Sequence, residues 1–158
     1  MSLNEKSYSL TEAMVKIQQF CVYQDRCHKE VVEKLQTMNM IPEAIDLIVS
    51  GLIQDNFLNE ERFARSFARG KFRIKKWGRL RIVRELKFRN ISKFVIDAAL
   101  KEIEETTYLA TLNELAQKRA KAVKETNPLK RKKKIADYLL YRGWESHLVY
   151  QKINEIVK

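Results

Sequence analysis

Five cations recur at helical spacing: Arg62, Arg65, Arg69, Arg73 and Lys76 follow one another at steps of 3, 4, 4 and 3. Such steps place side chains on one face of an α-helix. Four of the five are arginines, whose planar guanidinium forks grip phosphate or carboxylate through paired hydrogen bonds. The chemistry on offer is recognition of a polyanion, either nucleic acid phosphate or an acidic protein groove. Few glutamates stand at i±4 to neutralise the stripe. Phe63, Phe67, Gly70, Ile74 and Trp77 recur at 4, 3, 4 and 3, a second stripe roughly 120° away that is expected to anchor the helix. Phe72 belongs to neither stripe and falls near the cations, where it could stack on a base or enter a partner's pocket.

The positive charge continues beyond this stripe. Arg79, Arg81, Arg84, Lys87 and Arg89 follow it, and Lys130, Arg131, Lys132, Lys133 and Lys134 form a second cluster after Pro128. At the start of a helix those last five oppose the dipole, at a few tenths of a kcal/mol (~0.3) per charge, so an anion is expected there. Lys+Arg total 31 against 20 for Asp+Glu, a formal net charge of +11. That excess is localised: residues 59–91 carry +9 and residues 118–134 carry +8, while 1–58 and 92–117 each carry −3.

Bond-making chemistry has no candidates. No Gly-rich phosphate loop is present, since Gly70-Lys71-Phe72-Arg73 lies inside a helical pattern. Glu60-Glu61 stand at a helix start, where the dipole explains them. Cys27-His28 have no third group to orient them. Cys21, Cys27, His28 and His147 do not form a metal-ligand set, so no metal and no cofactor is expected. Two cysteines read as structural thiols in a reducing compartment. With 158 residues, 45% hydrophobic, the chain can bury a sizeable core, and only four Gly and two Pro argue against an all-β fold. No run of apolar residues is long enough to span a membrane, and the first residues lack a signal-peptide core. A cytoplasmic, monomeric protein is expected.

The elements that must position the cations come from an internal repeat. Leu35, Asn39-Met40, Ile45 and Val49 are matched 51 residues on by Leu86, Asn90-Ile91, Ile96 and Leu100. A further shift of 53 gives Leu139, Gly143-Trp144, Val149 and Ile153. Each set reads as a helix closed by a left-handed residue, followed by a helix facing the same core. Ser9 with Glu12, Pro42, Asn59 with a Leu58–Phe63 staple, and Ser92 supply helix starts. Leading helices are expected near 9–23, 59–76 and 108–124. The reading is all-α: three tandem three-helix units, 1–57, 58–106 and 107–158, stacked into an elongated, curved array.

Two stretches carry a family resemblance. Asn56-Phe57-Leu58-Asn59-Glu60-Glu61-Arg62-Phe63-Ala64 resembles the G-(Y/F)-(L/I)-(D/N)-(D/E)-x-R-(F/Y)-A signature of RecX regulatory proteins, with Asn56 in the place of Gly. Lys76-Trp77-Gly78-Arg79-Leu80-Arg81-Ile82-Val83-Arg84-Glu85-Leu86 is similar to that family's K-x-G-x-x-R-I-x-x-E-L. The first unit fits loosely: against R-x-x-S-x-x-E-L, Gln24, Cys27 and Val31 replace Arg, Ser and Leu, and only Glu30 is kept. The resemblance implies a non-enzymatic protein that binds the RecA recombinase and its filament on single-stranded DNA. It would lie in the filament groove and restrain strand exchange, ATP hydrolysis and co-protease activity. Double-stranded DNA is a further candidate partner. The competing reading is a general nucleic-acid-binding helical module, against which the apolar and acidic helix at 42–54 counts, since it could not read bases.

Overall fold

The computed structural model describes residues 7–158; the first six residues of the expected first unit lie outside the described residues. Among the described residues there are nine α-helices and no strand. They are α1 (Leu10–Tyr23), α2 (His28–Thr37), α3 (Pro42–Gln54), α4 (Glu60–Lys75), α5 (Arg79–Phe88), α6 (Lys93–Leu100), α7 (Glu105–Ala122), α8 (Pro128–Tyr141) and α9 (Ser146–Ile156).

Local chemistry sets the helix ends. Ser9 caps α1 by accepting from the Glu12 N–H at 3.1 Å, and Glu12 accepts from the Ser9 N–H in return. Pro42 opens α3 and Pro128 opens α8, while Asn59, Ser92 and Asn127 cap α4, α6 and α8 through their side chains. The three repeat corners are built alike. Asn39, Asn90 and Gly143 take φ of 59°, 61° and 91°. Behind each, the Met40, Ile91 and Trp144 N–H donate to the Leu35, Leu86 and Leu139 carbonyls at 3.2, 3.1 and 3.2 Å. This 6→1 bond closes the last turn and sends the chain into the next helix at a set angle. Ile45, Ile96 and Val149 are then buried in all three corners, whereas Val49 and Leu100 are half-buried and Ile153 is buried.

Packing groups the three units unequally. Ala13, Ile17, Val31, Leu35, Ile48, Leu52 and their neighbours, closed by Leu58, make one core within α1–α3. The helices α4–α9 share a second, continuous core that also takes in Cys27. Trp144 and Tyr108 are fully buried in it, stacked with centroids 4.4 Å apart.

Phe63, Phe67 and Trp77 of the expected apolar stripe do pack on the core, but the inward face of α4 is rotated away from Gly70 and Ile74. Its buried residues are Phe63, Ala64, Ala68 and Phe72, with Phe67 half-buried. Ile74 is 79% exposed, and nothing lies within 4 Å of where a Gly70 Cβ would be. Small Ala64 and Ala68 let α4 lie closely on α6, its most extensive neighbour. That rotation carries Phe72 into the core, against Tyr108 and Trp144 at centroid distances of 5.9 and 6.5 Å. Phe72 therefore cannot stack on a base, contrary to expectation.

Candidate functional site

The cations expected to face a partner fall into three groups. Arg62, Arg65, Arg69 and Arg79 hold the fold together. Arg62 Nε donates to Asp25 Oδ1 at 2.8 Å, its Nη2 donates to both the Asn56 and Phe57 carbonyls at 3.2 Å, and its Nη1 to Asn56 Oδ1 at 3.3 Å. It thus ties the left-handed turn at Asn56 (φ 63°) to the loop before α2. Arg65 meets Glu61 at 2.9 Å and Glu102 at 2.7 Å, and Arg69 meets Glu102 at 3.3 Å. The hydrogen bond from Arg65, then that from Arg69, holds the Glu102 carboxyl below its ordinary range. Two carboxylates balance two guanidiniums, so this part of the stripe presents little net charge. Arg79 lies over the Tyr108 ring at 3.8 Å, bonds Glu145 at 3.0 Å and also meets Glu105.

The cluster at 130–134 disperses. Arg131 turns back to donate to the Val123 carbonyl at 2.9 Å and to the Ala120 carbonyl, so it answers the negative end of α7. Lys132 donates to Asn154 at 3.2 Å, Lys133 pairs with Asp137 at 2.8 Å, and Lys134 with Glu125 at 3.5 Å. The charges at the start of α8 are offset by the end of α7 and by these acids, which removes the need for an external anion at that helix start. Lys130 is exposed and has no side-chain partner among the described residues.

Arg73, Lys76 and Arg81 form the third group, without a carboxylate among the described residues. Arg73 is exposed. Arg81 lies over the Trp77 and Tyr141 rings at 4.2 and 5.3 Å. Lys76 ends α4 in the left-handed region at φ 58°, and its carbonyl accepts from Trp144 Nε1 at 3.1 Å.

The most heavily built feature is the joint between the second and third units. The Gly78 N–H donates to the Arg142 carbonyl at 2.8 Å, and the Leu80 N–H to the Gly143 carbonyl at 3.0 Å. A Cβ on Gly78 would stand 2.4 Å from that Gly143 oxygen, and one on Gly143 would stand 2.3 Å from Arg81 Cβ. Tyr108 closes the joint: its hydroxyl accepts from the Arg79 N–H at 2.9 Å and donates to Glu145. Burial foremost, then the bond to Glu145, pushes the Tyr108 hydroxyl far above its ordinary 10.0. The stretch 76–86 thus works as an inter-unit lock.

A cationic cavity, missed by the sequence reading, opens between the ends of α4 and α8 and the side of α7. Lys75, Lys76, Lys118, Arg119, Tyr138 and Arg142 line about 340 Å³. Its sequence traces were Lys76 at the end of the first cationic stripe and Lys118 and Arg119 at the start of the second basic block, with nothing to show that they meet. Among the described residues, no group of three or more His, Cys, Asp or Glu could hold a metal ion, and no helix is long and apolar enough to cross a membrane.

These features define a class, a tandem array of three-helix units, the second and third of them joined by glycine-mediated backbone contact. Two family models match it: RecX, second three-helix domain, over residues 59–100, and RecX, third three-helix domain, over residues 106–153. The regulatory protein RecX of Yersinia enterocolitica (serotype O:8 / biotype 1B) is 33% identical over 119 residues, 74% of this chain and 68% of that protein. That of Clostridioides difficile (strain 630) is 26% identical over 136 residues, which span 84% of this chain and 62% of that protein, under two thirds of its length. The crystal structure of RecX from Lactobacillus salivarius shares the fold at TM-score 0.80 and 22% identity, covering 93% of this chain and 96% of that one. A second crystal structure of regulatory protein RecX gives TM-score 0.83 at 22% identity, over 92% and 73%. The chain belongs to the RecX family of regulatory proteins.

Proposed function

We propose that this chain binds the RecA recombinase and its filament on single-stranded DNA, and inhibits recombinase, ATPase and co-protease activity without catalysing a reaction. It acts as a cytoplasmic monomer made of the units 1–57, 58–106 and 107–158. One observation carries the reading: the molecule bears a net charge of +11, and after its internal ion pairs are formed, exposed cations remain without carboxylates. A helical array with fixed geometry and uncompensated positive surface suits a groove beside nucleic acid phosphate.

The contact residues are Arg73, Lys76, Arg81, Lys130 and Lys132, which no carboxylate meets among the described residues, and Lys133 and Lys134, which would exchange their exposed pairs with Asp137 and Glu125 for phosphate. Arg65 and Arg69 can join them, since a surface pair such as Arg69–Glu102 is worth about 0–1 kcal/mol and exchanges readily for phosphate. Arg62, Arg79 and Arg131 contribute by holding the array in shape. Co-sedimentation with RecA filaments assembled on single-stranded DNA tests the proposal. The chain should pellet with the filament and stay in the supernatant with RecA alone at salt that blocks filament assembly. Failure to pellet with intact filaments would refute it.

A further inference from the structure

We infer that the cavity between α4, α7 and α8 is a binding site for a phosphate group. Five cations line it, Lys75, Lys76, Lys118, Arg119 and Arg142, together with Tyr138 and the apolar walls Leu115 and Ala122. No carboxylate lines it. The hollow over Arg62, Arg65 and Arg69 differs, because Glu61 lines it too.

The two arginines are held beside one ring. Arg119 Cζ lies 4.6 Å and Arg142 Cζ 3.9 Å from the Tyr138 centroid. A ring attracts each guanidinium but does not neutralise its charge. Arg79 is the internal comparison: it lies over Tyr108 in the same way, yet two carboxylates meet it. Neither Arg119 nor Arg142 has such a partner among the described residues, and Arg119 Nε is buried without an acceptor. Like charges fixed this close repel, and a guest anion would relieve that repulsion.

Capping of nearby helix ends does not explain the cluster. None of the five cations donates a side-chain hydrogen bond to a carbonyl among the described residues, and the end of α7 is already answered by Arg131. Two guanidinium forks and three ammonium groups match the tetrahedral oxygens of phosphate better than a planar carboxylate. A volume of about 340 Å³ also has room for what the phosphate is attached to. The guest is a backbone phosphate of a nucleic acid strand or a free phosphate. This inference goes beyond the RecA reading, and its test contains no RecA, so the two can fail separately.

The test follows the arginine Nε–H resonances of ¹⁵N-labelled protein by NMR. Inorganic phosphate should shift those of Arg119 and Arg142, and chloride at matched ionic strength should not. If a fluorescein-labelled oligothymidylate moves the same resonances and phosphate competes with it, the source is a nucleic acid strand; if only phosphate moves them, the source is a free phosphate. Lys118→Gln with Arg142→Gln should weaken the bound probe about a hundredfold, the loss of two charge-assisted contacts at about tenfold each. Lys93→Gln with Lys101→Gln, equal in charge and on exposed positions of α6 and its end, should weaken it no more than about twofold. Equal losses in the two variants, or no shift beyond that caused by chloride, would overturn the inference. Should the cavity variant fail to fold, the resonances of the unaltered chain decide alone.

Discussion

Replacing Gly78 by alanine would place a methyl carbon 2.4 Å from the Gly143 carbonyl oxygen and 2.5 Å from the Trp144 nitrogen. Gly78 itself has φ −78° and ψ 170°, which any residue adopts, so the penalty comes from contact and not from backbone strain. Both neighbours are backbone, so relief requires the α8–α9 corner to move about 1 Å away from the start of α5, out to ordinary contact. That shift breaks or stretches the bonds from Gly78 and Leu80 to Arg142 and Gly143, worth about 0.5–1.5 kcal/mol each. Overpacking adds about 1 kcal/mol or more. A total near 3 kcal/mol lowers the melting temperature by about 6–12 °C for a chain of this size. Gly70→Ala is the control: its Cβ meets nothing within 4 Å, and it removes a glycine from inside α4, so stability should rise by about 0.5–1 kcal/mol. Urea titrations of both variants, with hydrogen exchange at the Gly78 and Leu80 amides, give the comparison. Unaltered stability in Gly78→Ala, with those amides still protected, would refute the idea that close backbone approach locks the second unit to the third.

Arg62→Ala should cost about 1 kcal/mol in urea titration, because two carbonyls and Asp25 lose their donor; Arg62→Lys should not restore it, since one ammonium cannot serve that fork. Arg73→Glu with Lys130→Glu should leave stability within about 0.5 kcal/mol, since both are exposed, while weakening filament binding at least tenfold by co-sedimentation. Stability should fall as pH rises above 9.0. Burial pushes the Cys27 thiol from 9.0 to about 11, so in that interval the unfolded chain binds fewer protons than the folded one, and a contribution fully present below pH 9.0 is lost, at most about 2–3 kcal/mol. Cys27→Ala should flatten this slope, and an identical slope would show that the thiol is not its source.

Much of this was legible because helix ends are local. Ser9 with Glu12, Pro42, Ser92 and the left-handed Asn39, Asn90 and Gly143 act within a few residues of themselves, and each stands where its type predicts. The inward face of α4 was not legible. Ile74 continues its apolar stripe and Phe72 stands outside it, and the reversal between them is made by Tyr108 and Trp144, which enter much later in the chain. The same limit hid the ion pairs. Asp25 and Glu102 each lie 37 residues from the arginine they meet, and only Glu61, four residues before Arg65, was in view at helical spacing. Basic spacing found a helix face but could not say which cations were already spent. The cationic cavity was hidden for the same reason, since its lining comes from three separate helices.

The most direct measurement of the regulatory reading is RecA-catalysed ATP hydrolysis on single-stranded DNA, at fixed salt, with this chain titrated in. Hydrolysis should fall progressively and reach its floor at or below one chain per RecA, and the Arg73→Glu, Lys130→Glu variant should need about tenfold more. Hydrolysis that stays constant through a molar excess of the folded chain would contradict it.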